Sequence, residues 1–191
     1  MTSSYNVIVG TDTADSFIVG TNSNDSLVAL AGNDIVTDSG ATDILDMGAG
    51  NDLVTQAGNY TGATILGGSG NDTIYTTNGV VRTLFDGGSD NDSIFLGSTG
   101  TFSNVTLAGG LSQDTIVLAA TSTLLNSAIY GGSAAVGSTD GADSISVGTI
   151  TGSLLQGNAG NDTLNVLGIA TASTIRGGRD ADFISISASV T

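Results

Sequence analysis

Gly67-Gly68-Ser69-Gly70-Asn71-Asp72-Thr73-Ile74-Tyr75 is a nonapeptide of the form G-G-x-G-x-D-x-U-x, with U a bulky apolar residue. Weaker copies recur along the chain, and their aspartates keep a period. From Asp15 through Asp34, Asp52, Asp72, Asp92, Asp114, Asp143 and Asp162 to Asp182, the steps are 19, 18, 20, 20, 22, 29, 19 and 20 residues. A repeat near 20 residues marks a solenoid, in which each turn of chain stacks on the one before. The expectation is a single all-β domain over residues 1–191, a parallel β-solenoid of about nine to ten turns with no capping helices.

Two regions differ in detail. Residues 1–55 carry nonapeptides in tandem, with aspartates at 15, 25, 34, 43 and 52. Two nonapeptides make one 18-residue turn, so Asp25 and Asp43 should lie on the edge opposite Asp15, Asp34 and Asp52. Residues 56–191 form turns of roughly 20 residues, in which one half keeps the motif and the other becomes a plainer strand and corner. The one long step has a local cause, an excursion near 133–139 (Ser133 to Thr139) between Gly132 and Asp143. Insertions of this kind map to the surface of a solenoid.

Aligned on the glycine pair, apolar residues fall into columns. Ile65, Phe85, Leu107, Ile129, Leu155 and Ile175 stand two before it, and Tyr60, Val80, Phe102, Leu124, Ile150 and Ala170 seven before it. Val54, Ile74, Ile94, Ile116, Ile145, Leu164 and Ile184 stand two after the motif aspartate. They alternate with Thr, Ser and Asn, the period of a strand buried on one face. The simplest arrangement is a narrow core between two parallel sheets.

Composition removes several functions. All 18 acids are aspartate and only three arginines oppose them, giving a net charge of −15. Nucleic acid and anionic membranes are therefore poor partners, since phosphate binding needs a basic patch. No apolar run approaches the roughly 20 residues that cross a bilayer. With no cysteine or histidine, disulfide and zinc–thiolate sites are out. Catalysis is not expected either, because glutamate and lysine are missing too and no acid–base pair stands out. Dispersed acids would read as a solvated surface, but these keep register with glycine turns.

The nonapeptide resembles the calcium-binding repeat of the RTX (repeat-in-toxin) family, whose fold is a right-handed parallel β-roll. The likeness is strict at Gly67 to Tyr75 and close at Gly87 to Phe95, Gly157 to Asn165 and Met47 to Thr55. It implies several Ca2+ ions between stacked turns, held by aspartate carboxylates and backbone carbonyls. The ligand carboxylates it implies are Asp34, Asp52, Asp72, Asp92 and Asp162, with Asp15, Asp143 and Asp182 in the same row and Asp25 and Asp43 on the other edge. Gly32, Gly50, Gly68, Gly70, Gly88 and Gly160, together with Asp90 and Asp180, complete the candidate metal set. Gly109-Gly110-Leu111-Ser112-Gln113-Asp114 lacks the fourth-position glycine, which argues against a site there.

Physical chemistry supports calcium independently. Glycines allow tight turns and close approach of carbonyls, and calcium takes six to eight oxygen ligands. Neighbouring carboxylates about 4.8 Å apart repel by roughly 3 to 4 kcal/mol at an effective dielectric near 20. A ladder of them needs a counter-charge; the competing interpretation is an Asn/Asp turn ladder without metal.

The functional expectation is a secreted, calcium-binding structural protein, stacking head-to-tail with itself into a cell-surface filament or S-layer-like array. The resemblance implies type I secretion through an uncleaved C-terminal signal, and no N-terminal signal peptide is evident. The alternative is a monomeric calcium-stabilised adhesin, or an ice- or glycan-binding module using the hydroxyl column Thr73, Ser93, Thr115, Ser144 and Thr163, with a cell-surface glycan as partner. Against a threonine lattice, the next outward column reads Tyr75, Phe95, Val117, Ser146 and Asn165.

Overall fold

The computed structural model describes residues 6–21, 24–132 and 140–187; the insertion expected at 133–139 lies outside them. Turn one contributes β1 (Asn6–Val9) and β2 (Ser16–Val19), turn two β3 (Asp25–Val28) and β4 (Ile35–Asp38), and turn three β5 (Ile44–Asp46) and β6 (Leu53–Gln56). From turn four each turn has three strands, beginning with β7 (Tyr60–Thr61), β8 (Thr64–Ser69) and β9 (Thr73–Thr76). The last described turn holds β22 (Ala170–Thr171), β23 (Thr174–Arg179) and β24 (Phe183–Ile186).

The described strands assemble into two nine-stranded sheets and one six-stranded sheet, so nine turns are stacked among the described residues. Every pairing is parallel. No helix occurs among the described residues. The sequence columns coincide with this register. Phe85 lies between Ile65 and Leu107 in the first sheet, and Ile94 between Ile74 and Ile116 in the second. These side chains are buried, as are Tyr60, Val80, Phe102, Leu124, Ile150 and Ala170 in the third. Ile175, half-buried, and Ile184, 43% exposed, are the exceptions, because no described turn covers their outer side.

The core is therefore not confined between two sheets beyond turn three; a third wall closes it. The physical reason is a recurring left-handed residue between the third-sheet strand and the first-sheet strand. Gly62, Arg82, Asn104, Asn126, Gly152 and Ala172 all have positive φ, between 47° and 81°. Such a residue turns the chain sharply, and the short strand before it then points its apolar side chain inward.

Candidate functional site

The motif loop connects the first sheet to the second, and its glycines are fixed by the closeness of the preceding turn. Gly68 and Gly70 have φ of 107° and 113°. A side-chain carbon on either would collide with the carbonyl oxygen of Gly48 or Gly50 in the turn before. Gly88, against Gly68, and Gly160, against Gly141, repeat the arrangement, as does Gly50 against Gly32. Gly32 itself has φ of 121° and lies against the backbone of Thr13 and Ala14. Asp90, Ser112 and Asp180 hold the fourth position elsewhere at φ of 77° to 80°, so the loop keeps its path without glycine.

This path brings the motif aspartates into one unbroken row. The backbone N–H of Asp15 donates to Oδ1 of Asp34, Asp34 to Asp52, Asp52 to Asp72, and so on through Asp92, Asp114, Asp143 and Asp162 to Asp182. The eight bonds span 2.7 to 3.0 Å. Outside the row runs a ladder of opposite sense, where Asn33, Asn51, Asn71 and Asn91 accept the N–H of Asn51, Asn71, Asn91 and Gln113 in the following turns. Asp114, set aside on motif grounds, is a full member of the row.

One oxygen of each carboxylate is used in this way; the other is not. Oδ2 of Asp34, Asp52, Asp72, Asp92, Asp114, Asp143 and Asp162 is buried without a hydrogen-bond partner. In the turns with a motif glycine at the first position, that oxygen faces the glycine. A side-chain carbon on Gly87 would meet Asp92 Oδ2 at 2.5 Å and the Gly109 carbonyl oxygen closer still. The same pair of oxygens, one carboxylate and one carbonyl from the next turn, brackets Gly67, Gly109, Gly131 and Gly157. In turns two and three the first position is held instead by Ala29 and Met47, both fully buried.

Burial without a counter-charge pushes these acids upward. Asp72 and Asp114 are raised from 3.8 to about 7, Asp92 and Asp143 to about 8 and Asp162 to about 6. Desolvation is the largest cause, neighbouring carboxylates add to it, and the N–H bond to the preceding aspartate works against it. A row of inward oxygens that resists ionising fits a hard cation. Asp34, Asp52, Asp72, Asp92, Asp114, Asp143 and Asp162, with loop carbonyls, would hold it; a bound Ca2+ supplies the missing positive charge and ties successive turns together.

The remaining candidates occupy other places. Asp15 is half-buried at the start of the row, with the Thr11 N–H on its Oδ2 at 2.7 Å. Asp182 ends the row. Asp90 and Asp180 are exposed on the rim, Asp90 Oδ2 accepting the Gly70 N–H at 3.2 Å. Asp25 and Asp43 form the opposite-edge pair, the Asp25 N–H donating to Asp43 Oδ1 at 2.8 Å. Beyond Asp43 that edge changes chemistry: Ser127, Ser153 and Ser173 hydroxyls accept the N–H of Val105, Ser127 and Ser153.

Nine parallel turns with inward carboxylates along one edge define a calcium-binding β-roll. Residues 19–54, 58–80 and 147–166 match the RTX calcium-binding nonapeptide repeat, in four copies. The chain therefore contains that repeat, and the row carries the same arrangement through Asp92, Asp114 and Asp143, outside the matched segments. No curated protein matches the chain. RTX repeat proteins are typically secreted, and no helix among the described residues is long and apolar enough to cross a membrane.

Proposed function

We propose that the chain is an extracellular structural element that calcium makes rigid and that stacks end to end with further copies into a filament or surface layer. The observation that carries the calcium part is the row of seven buried Oδ2 atoms without partners. Support for stacking comes from the two end faces. The inward Ile8 and Phe17 of the first described turn and Ile175 and Ile186 of the last one are only partly buried against the core, and among the described residues their strands have a paired neighbour on one side only. Parallel edges of this kind pair with further strands. In the pattern of the row, the Asp182 N–H requires an Oδ1 from a following turn, and Asp15 of a second copy carries that oxygen. Such a contact is heterologous and does not close on itself, so it propagates.

Negative-stain microscopy in millimolar calcium tests this. Filaments or sheets that disperse in chelator are expected; uniform particles about 45 Å long, the height of nine stacked turns, overturn the stacking. Circular dichroism separates the calcium part: a β spectrum and melting temperature indifferent to chelator would remove it.

A further inference from the structure

Asp38 is a fully buried carboxylate that the motif row does not contain. It stands five residues before Asp43, where Gly67 stands before Asp72 and Gly87 before Asp92. In the glycine-led turns of the row edge that position is bare, and the aspartate Oδ2 faces a glycine; on this edge it carries a second acid. Asp38 Oδ1 accepts the Gly40 N–H at 2.9 Å, and Asp43 Oδ1 accepts the Asp25 N–H at 2.8 Å. Their Oδ2 atoms remain, both buried and both without partners.

A third oxygen joins them. Tyr60 opens the third wall directly after this corner, with the N–H of Thr61 on the Ala41 carbonyl at 2.8 Å. It is 1% exposed, its hydroxyl has no hydrogen-bond partner by geometry, and that hydroxyl stands beside Asp38. The phenol is raised well above its ordinary value, chiefly by burial and then by the charge of Asp38, so it stays protonated as a neutral oxygen donor. Asp38 itself is pushed up, by burial first, with the charge of the neighbouring Asp43 adding to it.

Packing alone does not explain the cluster. The inward column of the second sheet reads Val19, Asp38, Gln56, Thr76 and Leu96, so it is polar only from turn two to turn four, around the start of the third wall. Two buried carboxylates without a cation are costly, whereas an apolar pair at 38 and 60 would fill the same space.

We propose that Asp38, Asp43 and Tyr60 form an interior divalent-cation site at the junction between the two-strand and three-strand turns. The donor set is oxygen only and carries two negative charges, which suits a hard ion of the calcium class and not zinc or copper. Here the next turn offers Ala63 in place of an aspartate, and the Asp38 carboxylate and Tyr60 hydroxyl supply the oxygens that edge no longer provides. The ion would tie the corner between turns two and three to the start of turn four, across the change in cross-section. The inference extends the calcium reading above to a second place, and its test separates the two.

The test compares wild type with Asp38→Asn and Tyr60→Phe, each titrated with Ca2+ by calorimetry and with Tb3+ by luminescence excited through tyrosine. Asp38→Asn should bind one Ca2+ fewer, while binding at the aspartate row persists. Tyr60→Phe keeps the ring packed against Phe85, whose centroid lies 6.0 Å away, and should lose the same share of Tb3+ emission that Asp38→Asn loses. Should Asp38→Asn fail to fold, Tyr60→Phe decides alone: unchanged emission overturns the site. Ion count and emission unchanged in both variants, with wild type still binding at the row, overturns this inference and leaves the first standing. A wild type that binds no ion removes both.

Discussion

The backbone N–H of Asp72 donates to Oδ1 of Asp92 in the following turn at 2.8 Å, while Asp92 Oδ2 faces Gly87 with no partner. One carboxylate thus divides its work, with one oxygen holding two turns together and the other reserved for an ion. The two tasks are separable by mutation. Asp92→Asn keeps an oxygen for the Asp72 N–H and removes the charge; Asp92→Ala leaves that N–H buried and unpaired, at about 1–3 kcal/mol. In chelator the expected order of melting temperatures is Asp92→Asn above wild type above Asp92→Ala. In calcium, wild type should exceed both. Thermal unfolding followed by circular dichroism decides it, and equal destabilisation of the two variants in chelator would contradict the division.

The raised acids set a pH dependence whose sign reverses with metal. Folded-state values of about 6 to 8 at Asp72, Asp92, Asp114, Asp143 and Asp162 lie above the ordinary 3.8. Between these limits the folded chain holds protons that the unfolded chain has released. Stability of the metal-free protein therefore falls as pH rises from about 4 to about 8, then levels. Calcium binding displaces those protons, so affinity rises across the same window. Melting curves from pH 5 to pH 8 check this: a metal-free melting temperature that climbs with pH would refute it.

The stacking and the row were legible because a fixed period records itself in sequence. One glance from Asp52 to Asp72 to Asp92 sets the turn length, and the apolar columns then have to face inward. The third wall was less legible. Its strands are as short as Tyr60–Thr61, and its corner depends on φ at Arg82 and Ala172 among others, residues whose left-handed conformation no composition rule announces. Asp38 was hidden for a different reason. It breaks the motif at a position expected to be glycine, and its partner Tyr60 comes from the next turn.

Asp114 is where motif and geometry part. Its loop lacks the fourth-position glycine, yet Ser112 holds φ at 80° and the row passes through unbroken. Asp114→Ala should therefore cost as much stability as Asp72→Ala, within about 0.5 kcal/mol, since each removes the acceptor of one buried N–H. Parallel chelator-treated melts of the two variants measure it. A clearly milder Asp114→Ala would restore the motif-based ranking.

Where its first position is glycine, the row also depends on the absence of a side chain there. A carbon added at Gly87 would lie 2.5 Å from Asp92 Oδ2 and closer to the Gly109 carbonyl, both fixed in the stack, so neither can retreat cheaply. A carbon added at Gly20 meets nothing within 4 Å. Gly87→Ala should thus lose calcium at the Asp92 step and cost about 1–3 kcal/mol through overpacking. Gly20→Ala should be neutral or slightly stabilising, because alanine reduces the freedom of the unfolded chain. Calcium stoichiometry and melting temperature together separate the causes. A Gly87→Ala protein that melts early but binds the full number of ions would show that Asp92 Oδ2 faces its glycine for packing alone.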